Sequence, residues 1–276
     1  MAPVRTFAGT VADLLAARRA VVLVYVVRSS DPQFFPAGAK VVCPDGGAPE
    51  VFGLGEAEAA ALCAHLPETD RSDAPGVIDV RWSDSPRPAE VSLYRERLQP
   101  PLQCIVAGAG HVGAVLVEIG RALGWSVVVV DDRSDFADPA RFPGDVDVVC
   151  DSFEQVWRRL TVDAATAVVL LTRGHRHDQT CLRALVGTEP FYIGMIGSRR
   201  RARKVLVELR DDGVSQEFIR RVFTPVGLPL ATETPAEIAL AVAGEIVAAW
   251  RGRGDWARQQ KDAYYERTRR NESSTR

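Results

Sequence analysis

Neither sign of charge dominates this 276-residue chain: 34 Lys and Arg stand against 36 Asp and Glu, a formal net charge of −2. Such a balance gives no electrostatic footprint for nucleic acid or an anionic membrane, so neither is an expected partner. Long apolar runs are missing as well. Stretches such as Ala20 to Val27 fall far short of the ~20 residues that span a bilayer. No basic start leads into an apolar signal core, so export is not expected and the cytoplasm is the expected compartment. Cysteine is sparse and scattered: Cys43, Cys63, Cys104, Cys150 and Cys181 are odd in number and form no C-x-x-C pair. That pattern argues against a disulfide framework and a structural zinc site, so no metal centre is expected, and it suits a reducing cytosol. Cys104, within an apolar run, reads as a small buried hydrophobe. No internal repeat is visible.

What is present is the composition of an ordinary globule, 46% hydrophobic and 25% charged, long enough for one large or two modest domains. Residues 1–98 read as a smaller mixed α/β domain. Val11 to Arg19 suits a short helix, and Ala20 to Arg28 a buried, β-branched strand. Ala39 to Cys43 and Glu50 to Phe52 read as strands around the Pro44-Asp45-Gly46-Gly47 turn, and the alanine-rich Glu56 to Leu66 as a helix. His65 then stands at a helix end. Val77 to Trp82 and Val91 to Tyr94 suit strands on either side of Pro86-Arg87-Pro88. Pro100 and Pro101 mark the expected boundary.

From Leu102 onward strands alternate with helices, which predicts an α/β fold with a parallel sheet covered on both faces. Residues 102–252 form the expected second domain, with helices near Phe153 to Leu160, over Arg176 to Val186 and over Arg199 to Asp211. Thr234-Pro235-Ala236-Glu237 is a capping box opening an apolar helix through Trp250. Residues 253–276 are charged and read as a polar tail with a frayed end.

The densest signal is Gly108-Ala109-Gly110-His111-Val112-Gly113, between an apolar strand and a helical pattern. A second strand-like run, Ser126 to Val130, delivers Asp131 and Asp132. The first glycine permits a tight turn, the second admits a pyrophosphate, and the third lets helix pack on strand. The helix N-terminus offers free N–H donors and a positive dipole end. Gly108, Gly110, His111 and Gly113 are therefore candidate ligand-binding residues, and His111 faces either the ligand or the helix start. A carboxylate at Asp131 or Asp132 suits ribose hydroxyls, whereas the adjoining Arg133 suits a phosphate, leaving NAD and NADP both open.

Two further loops follow strand carboxyl ends and should share that rim. Thr172-Arg173-Gly174-His175-Arg176-His177-Asp178 makes Arg173 and His175 candidates, His175 also as an acid/base; alternatively the loop is polar, with Asp178 capping the next helix. Gly197-Ser198-Arg199-Arg200-Arg201 suits an anion at a helix start, or else a capped helix with a solvated basic face. On the first reading Gly197, Ser198, Arg199 and Arg200 bind phosphate.

Five ordered stretches together resemble the XdhC/CoxI family, accessory proteins of molybdenum hydroxylases such as xanthine dehydrogenase. They are IVAGAGHVG (105–113), VVVVDDRSDFADPARFP (127–143), VVLLTRGHRHD (168–178), YIGMIGSRRRAR (192–203) and PVGLPLATETPAEIALAVAGEIVA (225–248). The resemblance implies a Rossmann-like C-terminal domain, a homodimer, and binding, sulfuration and delivery of the molybdenum cofactor to an apo molybdenum hydroxylase, with a sulfurtransferase as a further partner. The N-terminal half departs from the family pattern. Ser30-Asp31-Pro32-Gln33 lacks the family's arginine, and Glu56 stands where a cysteine is usual. A carboxylate cannot carry a sulfur atom as a thiolate can, which sets thiolate chemistry aside at that position. Two other functions suit the glycine motif: an NAD(P)-dependent oxidoreductase or a nucleotide sensor. No Tyr-x-x-x-Lys or comparable catalytic set supports the oxidoreductase, and a cofactor-binding accessory protein is the expectation rather than a turnover enzyme.

Overall fold

A computed structural model describes residues 5–55, 58–60, 62, 75–82 and 88–274. Glu56, Cys63, His65 and most of the expected 56–66 helix lie outside the described residues, although 58–60 and 62 are helical. The chain divides into two compact units, residues 1–101 and 102–276.

In the first unit, helix α1 (Phe7–Ala16) starts earlier than the apolar pattern suggests, because Thr6 caps it by accepting from the Gly9 N–H. Five antiparallel strands follow: β1 (Val21–Ser29), β2 (Lys40–Pro44), β3 (Glu50–Phe52), β4 (Gly76–Trp82) and β5 (Ala89–Leu98), in the order β3-β2-β1-β5-β4. The central β1 pairs Val24 with Val41 on one side and with Arg95 on the other. Val24, Val26, Phe35, Val41 and Leu93 make the main core of this unit.

The second unit is a six-stranded, all-parallel sheet. Its strands are β6 (Gln103–Ala107), β7 (Ser126–Asp131), β8 (Asp147–Cys150), β9 (Thr166–Leu170), β10 (Tyr192–Met195) and β11 (Val222–Phe223). The order is β11-β10-β9-β6-β7-β8, so the chain runs outward from β6 to one edge and restarts at β9 for the other. That reversal is the switch point at which doubly wound sheets bind ligands. Side-chain alternation divides the core. Ile105, Val128, Val168 and Ile193 face α3 (His175–Ala184), α4 (Arg199–Asp211) and α5 (Gln216–Arg221). Cys104, Val106, Val127 and Val169 face α2 (His111–Ala122) and α6 (Pro235–Trp250). With both faces covered, β6 and β9 are buried at every position.

Two expectations need correction. The helix near 153–160 is only a single 3₁₀ turn, Val156–Arg158, in which Val156 and Trp157 are buried. The polar tail is regular where described: residues Gly254–Ser274 form helix α7. Charge patterning hid this because the helix is anchored by polar groups. Lys261 ion-pairs with the buried Glu245 of α6 at 2.5 Å and donates to the Pro225 carbonyl, while the Arg258 guanidinium lies 3.6 Å over the Phe223 ring. Among the described residues no helix is long and apolar enough to cross a membrane.

Candidate functional site

Each glycine of the β6–α2 loop has its own steric reason. Gly108 takes φ +122°, and a Cβ there would lie 2.5 Å from the Leu171 carbonyl oxygen. A Cβ on Gly113 would come within 2.1 Å of the Gly108 oxygen, so helix and turn can approach only without it. Gly110 is different: nothing lies within 4 Å of a Cβ built on it. It is also the N-cap of α2 and has no side chain to cap the helix, which leaves N–H donors of the first turn for a ligand.

A cavity of about 260 Å³ adjoins this turn, lined among others by Gly108, Gly110, His111, Asp132, Thr172 and Arg173. The glycine loop and the Arg173 loop therefore do meet at the rim. His111 is exposed at the first position of α2.

Asp131, a candidate for a ribose contact, lines this cavity and is also engaged within the protein. It is buried and fully occupied, accepting from the Ala109 N–H at 2.8 Å, from the Arg133 N–H, and from the Arg133 guanidinium at 2.8 and 2.9 Å. Arg133 in turn stacks 3.5 Å over Phe136, and both line the cavity. The pair braces the glycine turn. Burial pushes the Asp131 carboxyl up, but the bonds from Arg133 and from the Ala109 and Arg133 N–H groups outweigh it and hold the carboxyl below its ordinary range. A carboxyl lowered on folding contributes stability above its unfolded pKa of ~4, and that contribution disappears as pH falls through the folded value. Thermal melts at pH 6 and pH 3 should therefore show a smaller acid loss for Asp131→Asn than for the parent chain. Equal losses would mean that this pair does not contribute to acid sensitivity.

Asp132, one residue on, pairs with Arg173 at 2.8 Å through Oδ2. Its Oδ1 is buried with no hydrogen-bond partner.

The second and third loops are joined by an ion pair that sequence reasoning missed. Asp178 does not cap α3, whose N-cap is Gly174. Its buried carboxylate accepts from Thr172 Oγ1 at 2.5 Å and from Arg201 at 2.5 and 3.0 Å, and Arg201 also reaches the Thr172 carbonyl. Burial pushes the Asp178 carboxyl above its usual range against the pull of Thr172 and Arg201. A lone acid four residues into a helix, with an arginine three residues after a serine cap, was the available signal.

The remaining candidates are placed elsewhere. His175 is exposed at the start of α3, and neither it nor Gly197, Ser198, Arg199 or Arg200 lines the 260 Å³ cavity. Ser198 is the N-cap of α4, accepting from the Arg201 N–H. The Arg199 guanidinium lies 3.3 Å over the Tyr265 ring of α7, beside a separate cavity of about 460 Å³ that Arg258 and Lys261 also line. Arg200 is exposed.

A parallel sheet in the order 3-2-1-4-5-6, with a glycine turn and an uncapped helix start at its switch point, defines a Rossmann-type domain. The family model described as the XdhC Rossmann domain matches residues 104–246, more than half of the chain, and the protein belongs to that family. Among curated relatives it is 31% identical over 170 residues to the uncharacterized protein YqeB of Escherichia coli K12. It is 28% identical over 156 residues to a probable xanthine dehydrogenase subunit of Bacillus subtilis 168. Over 85 residues it is 32% identical to the molybdenum cofactor insertion chaperone PaoD of E. coli K12. These matches cover 61%, 56% and 31% of this chain but only 31%, 45% and 27% of the respective relatives, so the shared part is less than half of each. Of solved structures, a protein from Bacillus halodurans described as a xanthine dehydrogenase superposes with a TM-score of 0.66 at 20% identity, covering 90% of this chain and 68% of that one. This likeness is one of fold.

Proposed function

We propose that this chain is an accessory protein of a molybdenum hydroxylase, holding the molybdenum cofactor for delivery to the apo-enzyme. Membership of the XdhC family and similarity to a molybdenum cofactor insertion chaperone support the reading. The observation that carries it is the open space over Gly110, at an α2 N-terminus with no side-chain cap, beside a cavity with Arg173 on its wall. Backbone N–H groups, a helix dipole and a guanidinium suit the phosphate-bearing end of such a cofactor.

Among the described residues no group of three or more His, Cys, Asp or Glu side chains could hold a metal ion. In this reading the protein grips the phosphate end, and the molybdenum supplies redox chemistry in the recipient hydroxylase. The cavity is below the ~300–1,000 Å³ of ordinary small-molecule pockets, so it takes one portion of the ligand and leaves the rest at the rim. His111 and Arg173 orient that portion, and the braced Asp131–Arg133 pair keeps the turn in shape. A homodimer in the cytoplasm, loaded with the help of a sulfurtransferase, completes the proposal.

Calorimetry on the full chain with molybdenum cofactor, NAD and NADP tests it. Cofactor binding is the expected result. Binding of NAD or NADP alone would overturn the delivery role in favour of a nucleotide sensor or oxidoreductase.

A further inference from the structure

Helix α6 lacks the polar outer face that a surface helix normally carries. Its inner side, with Ala239, Val242, Ala243 and Ile246, is buried in the core it shares with α2. Its outer side runs through Glu237, Leu240, Gly244 and Val247 to the C-cap Arg251, at spacings of 3, 4, 3 and 4 residues that set them in one row. Between its two charged ends the row holds no charge. Leu240 is 58% exposed and Val247 is exposed as well, while Gly244 has no side chain and Leu228 packs beside it. Four of the eight large hydrophobic side chains exposed among the described residues, Leu230, Leu240, Val247 and Trp256, lie on α6 or within six residues of its ends. Apolar surface concentrated in this way and rimmed by charge marks a face that another protein covers.

The placement of the two charges selects the occupant. Glu237 and Arg251 each stand seven residues from Gly244, about 10 Å to either side along the axis. Glu237 is exposed, and only its Oε2 is taken, by the Glu233 and Thr234 N–H groups. Arg251 is exposed at the other end and has no ion-pair partner among the described residues. A two-fold axis at Gly244, with a second α6 running antiparallel to the first, sets each Glu237 against the other copy's Arg251 and each Leu240 against the other copy's Val247. Parallel pairing would instead oppose Glu237 to Glu237 and Arg251 to Arg251. We infer that the outer row of α6 is the self-complementary face of a homodimer, a second copy of this chain packing antiparallel across Gly244. The inference gives the homodimer of the proposed function its interface, and it rests on that part of the reading alone.

Sedimentation equilibrium on the full chain tests it, with a circular dichroism spectrum of each variant to show that it is folded. The parent should be a dimer at micromolar concentration. Leu240→Glu should raise the dimer dissociation constant roughly 100-fold, because it places an unpaired charge in the apolar centre of the interface. Glu237→Arg and Arg251→Glu should each weaken the dimer about 10-fold on their own, since like charges then meet at both ends of the row. An equimolar mixture of these two variants should return to within about 3-fold of the parent, because the mixed pair restores both Arg–Glu contacts. Rescue by mixing is a readout that a structural role would not move: the capping box broken in Glu237→Arg stays broken in the mixture. A parent dimer that none of the variants weakens, or a mixture that recovers nothing, would overturn this face as the interface and leave the homodimer standing. A monomeric parent would overturn both, with cofactor delivery still decided by calorimetry.

Discussion

Glu245→Ala should destabilise the second unit by about 3–5 kcal/mol, the range for removing one partner of a buried ion pair. Glu245 is fully buried in the largely apolar helix α6, whose other acid, Glu237, is exposed in the first turn, and Lys261 is 7% exposed. The carboxylate does three things at once. It pairs with Lys261, accepts the Tyr192 hydroxyl at 2.6 Å, and accepts the Gly227 N–H at 2.8 Å. Truncation leaves a buried ammonium, a phenol and an amide with their acceptor gone, and each unmet group costs more than the bond contributed. Burial already pushes the Lys261 ammonium below its ordinary range, and with no carboxylate beside it the group can relieve the cost only by losing its proton or leaving the site. Leaving means undocking α7. Denaturant unfolding of the full chain should show the loss, and limited proteolysis should find new cleavage after Arg253. The double variant Glu245→Leu with Lys261→Met should recover much of the deficit, because it removes both charges together. A single-variant loss below about 1 kcal/mol would mean that Lys261 finds another partner, contrary to a network closed by Glu245.

Gly110→Val carries the largest expected effect on binding: a loss of at least 100-fold for any ligand of the crevice, with the fold retained. The backbone at Gly110 is extended, at φ −71°, so valine fits it without strain. Nothing of the protein lies where its side chain would go. The cost to stability is that of a poor N-cap, about 1 kcal/mol, which shifts Tm by roughly 2–4 °C in a domain of this size. A ligand phosphate approaching the α2 N–H groups would meet the two methyl groups instead. Calorimetry beside a thermal melt separates the outcomes. Undiminished affinity in a folded variant would place the ligand elsewhere, and the 460 Å³ cavity beneath Arg199 and Tyr265 would be the next place to look.

Much of the fold was legible because local and tertiary forces agree there. The run from Ser126 to Val130 is a strand by composition and lies inside the sheet between β6 and β8, and the Thr234 capping box forms just as its spacing requires. The misreadings share one cause. Around Val156, in the segment that follows β8, Phe153, Val156 and Trp157 join the core, and tertiary packing leaves only one 3₁₀ turn. After Arg253 the sequence is so polar that periodicity shows nothing, yet two cations on one face of α7 find Glu245, Phe223 and backbone carbonyls.

The chain's sequence determined the sheet class, the position of the glycine turn and the family, since each depends on residue types at short, fixed spacings. Which charged side chains are free for a ligand was decided only by tertiary structure. Asp131 and Asp132 are neighbours of equal chemistry on one cavity wall, but Asp131 is buried against Ala109 and Arg133 while Asp132 pairs with Arg173 across the sheet. Three consecutive arginines likewise separate: Arg201 is bound to Asp178, Arg199 lies against Tyr265, and Arg200 is exposed. A partner dozens of residues away decides each case, and no local pattern encodes where that partner will stand.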